Sequence, residues 1–307
     1  MALSLAPSVA PPSRLRLAPR PRCGRSAPHA ARCAASSSAP LTPAAGPVLV
    51  AGASGGVGQL VVASLLDRGF SVRALVRTAA RGDALFADAA DARASGKLQL
   101  VPVDLRDAGA LAASGACKGL AAAVCAAGTT AFPSGRWAGG NGPKETDCDA
   151  VRNLVSAVAQ ASPDLRRFVL VSSVGVTRTD SMPYVILNLF GVLTNKALGE
   201  AALRASGLPW AVLRPGRLTD GPYTSYDLNT LLRATSKERR GVQLATGDTL
   251  SPQESSRIVV AEAALQALSS PAALGREFDV GSFEGDGPGA DAAAWDKLFA
   301  DAKPAAA

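Results

Sequence analysis

Gly52, Gly55 and Gly58 fall at G-x-x-G-x-x-G spacing in the run Val48-Leu49-Val50-Ala51-Gly52-Ala53-Ser54-Gly55-Gly56-Val57-Gly58. The chemistry open to such a run is anion binding. Glycine permits a tight turn, lets the backbone approach a pyrophosphate, and allows a helix to pack closely on a strand. The free N–H groups of the helix that follows then face the anion. A triplet alone is weak evidence in a chain of 30 glycines. Its place after an apolar strand-like run and before a helical one is the specific feature. Gly52, Ser54, Gly55, Gly56, Val57 and Gly58 are therefore the expected dinucleotide cradle.

The identity of the dinucleotide is read about 20 residues later, where an Asp or Glu would bind a ribose 2′-hydroxyl. Here the run is Val72-Arg73-Ala74-Leu75-Val76-Arg77, and no acid occurs from Arg68 through Gly82. A carboxylate would repel a 2′-phosphate, whereas a guanidinium pairs with it through two hydrogen bonds. Arg77, at the end of the run, is the first candidate and Arg73 the second. NADP(H) is expected over NAD(H).

The elements that must position these residues alternate from Pro47 onward, short apolar runs with longer helical stretches, as in a parallel α/β sheet. Strands are expected at 47–51, 71–76, 98–103, 120–126, 168–172, 210–213 and 277–280. Helices are expected at 56–68, 110–114, 145–161, 187–205, 253–268 and 292–302. In the third of these, Val151, Leu154, Val155 and Val158 share one face. The expected fold class is α/β, a Rossmann-type doubly wound parallel sheet with a small mixed C-terminal substrate lobe. Residues 47–303 form one NAD(P)-binding domain on this reading.

Composition narrows the function. The net charge is +7, but six of the 32 basic residues are arginines within residues 1–33, which hold no acid. The remainder carries 26 basic side chains against 25 acidic ones. A nucleic-acid surface needs clustered positive charge on the folded part, and only the short Lys237, Arg239, Arg240 group offers any. No nucleic-acid partner is expected. No apolar run approaches the ~20 residues of a membrane-spanning helix; Tyr184 to Leu193 is short and interrupted by Asn188.

Residues 1–46 are rich in Ala, Ser, Pro and Arg, and their eight prolines forbid a long helix. They lack the apolar stretch of a secretory signal. The segment resembles a chloroplast transit peptide with a linker, processed near Ala31-Arg32-Cys33-Ala34-Ala35, which places the protein in the stroma, with peripheral membrane association left open. Processing there removes His29, the only histidine, and with it any Ser-His-Asp, Cys-His or His–metal chemistry. Cys117, Cys125 and Cys148 remain without a metal-ligand spacing. They are expected as buried thiols, Cys125 in a core strand.

Taken in order, the glycine motif, Val103-Asp104-Leu105, Ala126-Ala127-Gly128, Val171-Ser172-Ser173, Asn195-Lys196 and Leu213-Arg214-Pro215-Gly216 resemble a short-chain dehydrogenase/reductase. More narrowly, the chain resembles the atypical, NmrA-like NAD(P)-binding proteins of plant plastids. Ser256 to Ala261, Ala264 to Leu268 and Phe278 to Gly281 fit as well, and the likeness covers nearly all of 47–285. It implies that Asp104 accepts from the adenine amine with Leu105 beside the ring. Ala126, Ala127 and Gly128 would line the far ribose, Lys196 would bond the nicotinamide ribose, and Pro215 and Gly216 would approach the carboxamide. Lys196 and Ser173 are the candidate catalytic residues.

One departure bears on the chemistry. Active members of that family place Tyr four residues before the lysine, on the same helix face, where the lysine lowers the phenol pKa. Here that position is Val192, and Tyr184 lies beyond Pro183. Tyr223, Tyr226 and Asp227 follow the sixth strand, where substrate loops arise. Two readings remain open: an NADPH-dependent reductase of a small conjugated or aromatic acceptor, and a non-catalytic NADPH-bound factor with a plastid protein partner.

Overall fold

The computed structural model describes residues 41–219, 240–251 and 254–305. Ten strands are described: β1 (Val48–Ala51), β2 (Val72–Val76), β3 (Leu98–Pro102), β4 (Ala122–Cys125), β5 (Arg167–Val171), β6 (Trp210–Pro215), β7 (Arg217–Thr219), β8 (Gly241–Ala245), β9 (Glu254–Ser256) and β10 (Arg276–Phe283). The helices are α1 (Gly56–Asp67), α2 (Ala79–Leu85), α3 (Ala90–Ala94), α4 (Ala108–Ala113), α5 (Ala150–Ala161), α6 (Tyr184–Leu187), α7 (Val192–Ala205), α8 (Arg257–Ser269) and α9 (Ala292–Asp301).

Eight strands make one sheet in the order β3-β2-β1-β4-β5-β6-β10-β8. All pairings are parallel except β10 with β8. Chain order reverses beside β1, which is the switch point where ligands of open α/β sheets bind. The expected doubly wound fold is what forms.

The central strands β1, β4 and β5 are buried along their whole length, as strands covered on both faces must be. Alternate side chains feed opposite layers. Val48 and Val50 pack with Leu60 and Val61 of α1, Val260 of α8, and Trp295 and Phe299 of α9. Leu49 and Ala51 pack with Leu111 of α4, Leu154 and Val158 of α5, and Leu203 of α7. Each fully buried aliphatic side chain contributes about 1.5–3 kcal/mol, so this two-sided core holds the strand ends in register. Cys117, Cys125 and Cys148 are buried free thiols, Cys125 in β4 as expected.

Several expected elements are redrawn. The stretch expected as one helix from 145 begins as a π-helical turn, Lys144–Asp149, before α5. The helix expected at 187–205 is split: the short α6 segment ends at Leu187, and Gly191, at φ +75°, stands immediately before α7, which starts at Val192. Asn188 Oδ1 accepts from the Thr194 N–H at 3.1 Å, satisfying a donor that the helix start leaves free. The run expected as a helix from 253 opens as β9, which pairs with β7 in a small parallel ribbon, before α8 begins. Among the described residues no helix is long and apolar enough to cross a membrane.

Candidate nucleotide-binding site

The turn after β1 is built so that only glycine fits. Gly52 has φ +74°, and a Cβ there would lie 2.5 Å from the Ala127 backbone nitrogen. A Cβ on Gly58 would stand 2.1 Å from the Gly52 carbonyl oxygen, so the first turn of α1 packs directly on the loop. The Gly55 N–H donates to the Gly52 carbonyl at 2.9 Å, and Gln59 Nε2 donates to the Ser54 carbonyl at 3.1 Å. These bonds leave the first N–H groups of α1 facing outward.

They face a cleft of about 470 Å³ at the carboxyl ends of the strands. Gly52, Ser54, Gly55 and Gly56 form one wall, and Ala126, Ala127, Gly128 and Thr129 form another. Arg77, Asp104 and Leu105 line it too. Val57 and Gly58 do not reach the cleft; Val57 is buried in the core, and Gly58 admits the close packing.

Arg77 is exposed at the end of β2, and Arg81, on α2, joins it in the lining. Thr78 caps α2 by accepting from the Arg81 N–H. Arg73 is placed elsewhere, a correction to its expected role. Its guanidinium donates to the carbonyls of Ala116 and Lys118 at 3.0 and 2.5 Å and to Gln99 at 3.2 Å. Arg73 lies second in β2, near the amino end of the strands, so its side chain ties neighbouring loops rather than meeting a phosphate.

Asp104 lines the cleft, but its carboxylate is already engaged. Arg106 Nε lies 3.0 Å from both oxygens and Nη2 lies 2.6 Å from Oδ2. That bonding with Arg106 holds the Asp104 carboxyl below the usual carboxylate range despite partial burial. Arg106 also donates to the carbonyls of Gly139 and Gly140 at 2.6 and 2.7 Å, pinning the 139–140 backbone beside the cleft.

Lys196 of α7 lies behind the cleft wall rather than in its lining, with its Nζ beside Gly128. Its Nζ lies 2.7 Å from Oδ1 of Asp147, a side chain with no solvent exposure. The same oxygen accepts from the N–H of Thr129 at 3.2 Å. Val192, one turn before Lys196, is buried. Ser173 Oγ donates to the Val174 carbonyl at 3.0 Å. The Gly216 N–H donates to Ser255 Oγ at 2.8 Å, and Pro215 ends β6 and accepts from the Val174 N–H at 3.0 Å. Ser173, Pro215 and Gly216 thus sit at the ends of β5 and β6, tied to one another by backbone and outside the lining of the 470 Å³ cleft. Tyr184 is buried, with its hydroxyl accepting from Arg178 at 2.7 Å and donating to the Leu250 carbonyl at 3.2 Å. Tyr223, Tyr226 and Asp227, and Lys237 and Arg239, lie outside the described residues.

A glycine cradle, outward helix N–H groups and two arginines beyond them match a dinucleotide in shape and charge. Residues 52–271 match the family model of NAD(P)H-binding proteins. The chain belongs to that family.

Among the relatives of this NAD(P)H-binding protein is Protein TIC 62, chloroplastic, of Pisum sativum, 37% identical over 229 residues. That match takes in 70% of this chain but only 39% of the pea protein, so the chain spans well under half of that relative. An uncharacterized chloroplastic protein of Arabidopsis thaliana is 32% identical over 228 residues, covering 72% of this chain and 71% of its own length. The fold is that of the Escherichia coli protein ChuY, an anaerobillin reductase, at TM-score 0.54 and 23% identity, covering 76% of this chain and 96% of that one. The chloroplastic relatives agree with the N-terminal reading, and the protein is chloroplastic.

Arg81, Arg106 and Asp147 belong to no motif noted in the sequence. A signal was available for Asp147: it lies four residues before Val151, an acid in line with the apolar stripe of α5. A carboxylate on a buried face needs a cationic or hydrogen-bonding partner.

Proposed function

We propose that the protein binds NADP(H) in preference to NAD(H) and passes hydride to a small conjugated or aromatic acceptor in the chloroplast stroma. The observation that carries this reading is the cleft itself, with Arg77 and Arg81 at one end of its lining and no carboxylate on β2. The α1 N–H groups would hold the pyrophosphate, Arg77 and Arg81 the 2′-phosphate, and Lys196 the second ribose. NADPH supplies the hydride when bound. The chain's own part is orientation and exclusion of water.

Val192 cannot donate a proton, and the Tyr184 hydroxyl is committed to Arg178 and Leu250. That favours an acceptor whose reduced form draws its proton from solvent, as flavins and quinones do, over a simple ketone. The test is fluorescence titration with NADPH and NADH, followed by NADPH oxidation against flavins and quinones. Tighter NADPH binding with turnover of one acceptor class supports the proposal. Tighter NADH binding overturns it.

The buried Val192 also favours a second reading, a non-catalytic NADPH-bound assembly or regulatory factor. NADPH binding without oxidation across the panel, together with a nucleotide-dependent stromal protein complex, would select it. Residues 1–46 are proposed as the transit peptide and linker. A fusion of this segment to a reporter should enter chloroplasts and be trimmed near Cys33.

A further inference from the structure

Lys196 and Asp147 meet in a setting that two glycines and a wide turn make possible. A Cβ on Gly128 would lie 2.9 Å from Lys196 Nζ and 3.2 Å from Asp147 Oδ1. A Cβ on Gly199 would lie 2.6 Å from the Asp147 carbonyl oxygen, so α7 packs against the turn only because that position is bare. Asp147 itself is carried on the π-helical turn Lys144–Asp149, a local widening that occurs often at functional sites. Its Oδ1 accepts from Lys196 and from the Thr129 N–H, while its buried Oδ2 has no partner. The carboxylate therefore has capacity beyond what the fold uses.

We propose that Asp147 is a positioning residue of the nucleotide site, holding the Lys196 ammonium at the nicotinamide end and keeping that end electrically neutral. The inference rests on the NADP(H)-binding reading above. With the pyrophosphate at the glycine turn and the 2′-phosphate at Arg77, the other half of the dinucleotide would run past Gly128 and Thr129, the lining residues that touch the Lys196–Asp147 pair. The oxidised nicotinamide ring carries a positive charge and the reduced ring none. An unopposed ammonium would repel the oxidised form, and an unopposed buried carboxylate would attract it. The pair does neither, so its balance sets the relative affinity for NADP⁺ and NADPH.

The test measures both dissociation constants on the full chain, with a thermal melt of each variant without nucleotide. Asp147→Asn keeps the shape and removes the charge; it should weaken NADP⁺ relative to NADPH by roughly tenfold. Lys196→Met should move the same ratio the other way, and the double variant should return it toward the parent. If Asp147→Asn does not fold, the opposite shift in Lys196→Met decides the matter. A pair that is only structural would lower the melting temperature and leave the ratio unchanged in every variant, which overturns the inference. A parent protein that binds neither nucleotide overturns both this inference and the reading beneath it, whereas a parent that binds both with an unmoved ratio overturns this one alone.

Discussion

Arg214 of β6 meets Glu200 of α7 through two hydrogen bonds, Nε to Oε1 at 3.0 Å and Nη2 to Oε2 at 2.6 Å. Both side chains are almost wholly excluded from solvent, and Glu277 of β10 adds a contact at 2.8 Å to the same guanidinium. Glu200 lies one turn beyond Lys196, so this pair fixes the helix that carries the lysine to the sheet. Removing Arg214 leaves the buried Glu200 carboxylate with Arg204, at 3.1 Å and partly exposed, as its remaining ion-pair partner. Arg214→Leu should cost about 3–5 kcal/mol, read as a lower urea midpoint, with weaker NADPH binding in the fraction that folds.

Arg77→Ala should weaken NADPH by about 1.5–3 kcal/mol, the worth of a charge-assisted bond, and change NADH little. Arg81→Ala should act in the same direction, because both guanidinium groups line the cleft. Arg73→Ala should leave the NADPH-to-NADH preference where it was, since that side chain is spent on the carbonyls of Ala116 and Lys118. Parallel titrations with the two cofactors separate these outcomes.

Gly58→Ala places a methyl group 2.1 Å from the Gly52 carbonyl oxygen, a backbone atom that cannot swing aside. Either the loop or α1 must shift. We expect a loss of about 1–3 kcal/mol in stability and NADPH binding reduced well beyond that of Arg77→Ala. Unchanged nucleotide affinity in a folded Gly58→Ala protein would contradict the close packing of the turn.

Arg167 opens β5 with no solvent exposure, and its Nε, Nη1 and Nη2 have no hydrogen-bond partner. Burial pulls its pKa down to about 10. At neutral pH the side chain is still charged, so the fold bears the desolvation cost. Arg167→Met keeps much of the volume and removes that cost. It should stabilise the protein by about 1–4 kcal/mol; a lower denaturation midpoint would show that the guanidinium has a stabilising partner.

Asp279 of β10 is fully buried. Burial pushes its carboxyl above the usual range, against the pull of hydrogen bonds from the N–H groups of Leu250 and Thr249. An acid whose pKa is raised by folding binds its proton more tightly in the native state. Its contribution is fully present below the unfolded pKa and is lost as pH rises through the folded value. The stability of the parent relative to Asp279→Asn should therefore fall as pH is raised from about 4. A difference that stays flat with pH would refute the shift.

Much of this protein is written in local sequence. The glycine turn, the strand alternation, the burial of Cys125 and the loss of a phenol at Val192 all follow from residue type and near neighbours, because glycine sterics and apolar periodicity act over a few residues. The direction of Arg73, the capture of Asp104 by Arg106, and the split of α6 from α7 depend on what packs alongside. The Lys196–Asp147 pair joins positions 49 residues apart, and the Arg178–Leu250 bond spans 72. Such contacts exist only once the sheet order has brought the carboxyl ends of β1, β4, β5 and β6 together. The sequence set which side chains were candidates for a nucleotide; the tertiary structure decided which of them line the cleft, since a side chain's direction is settled by its long-range neighbours.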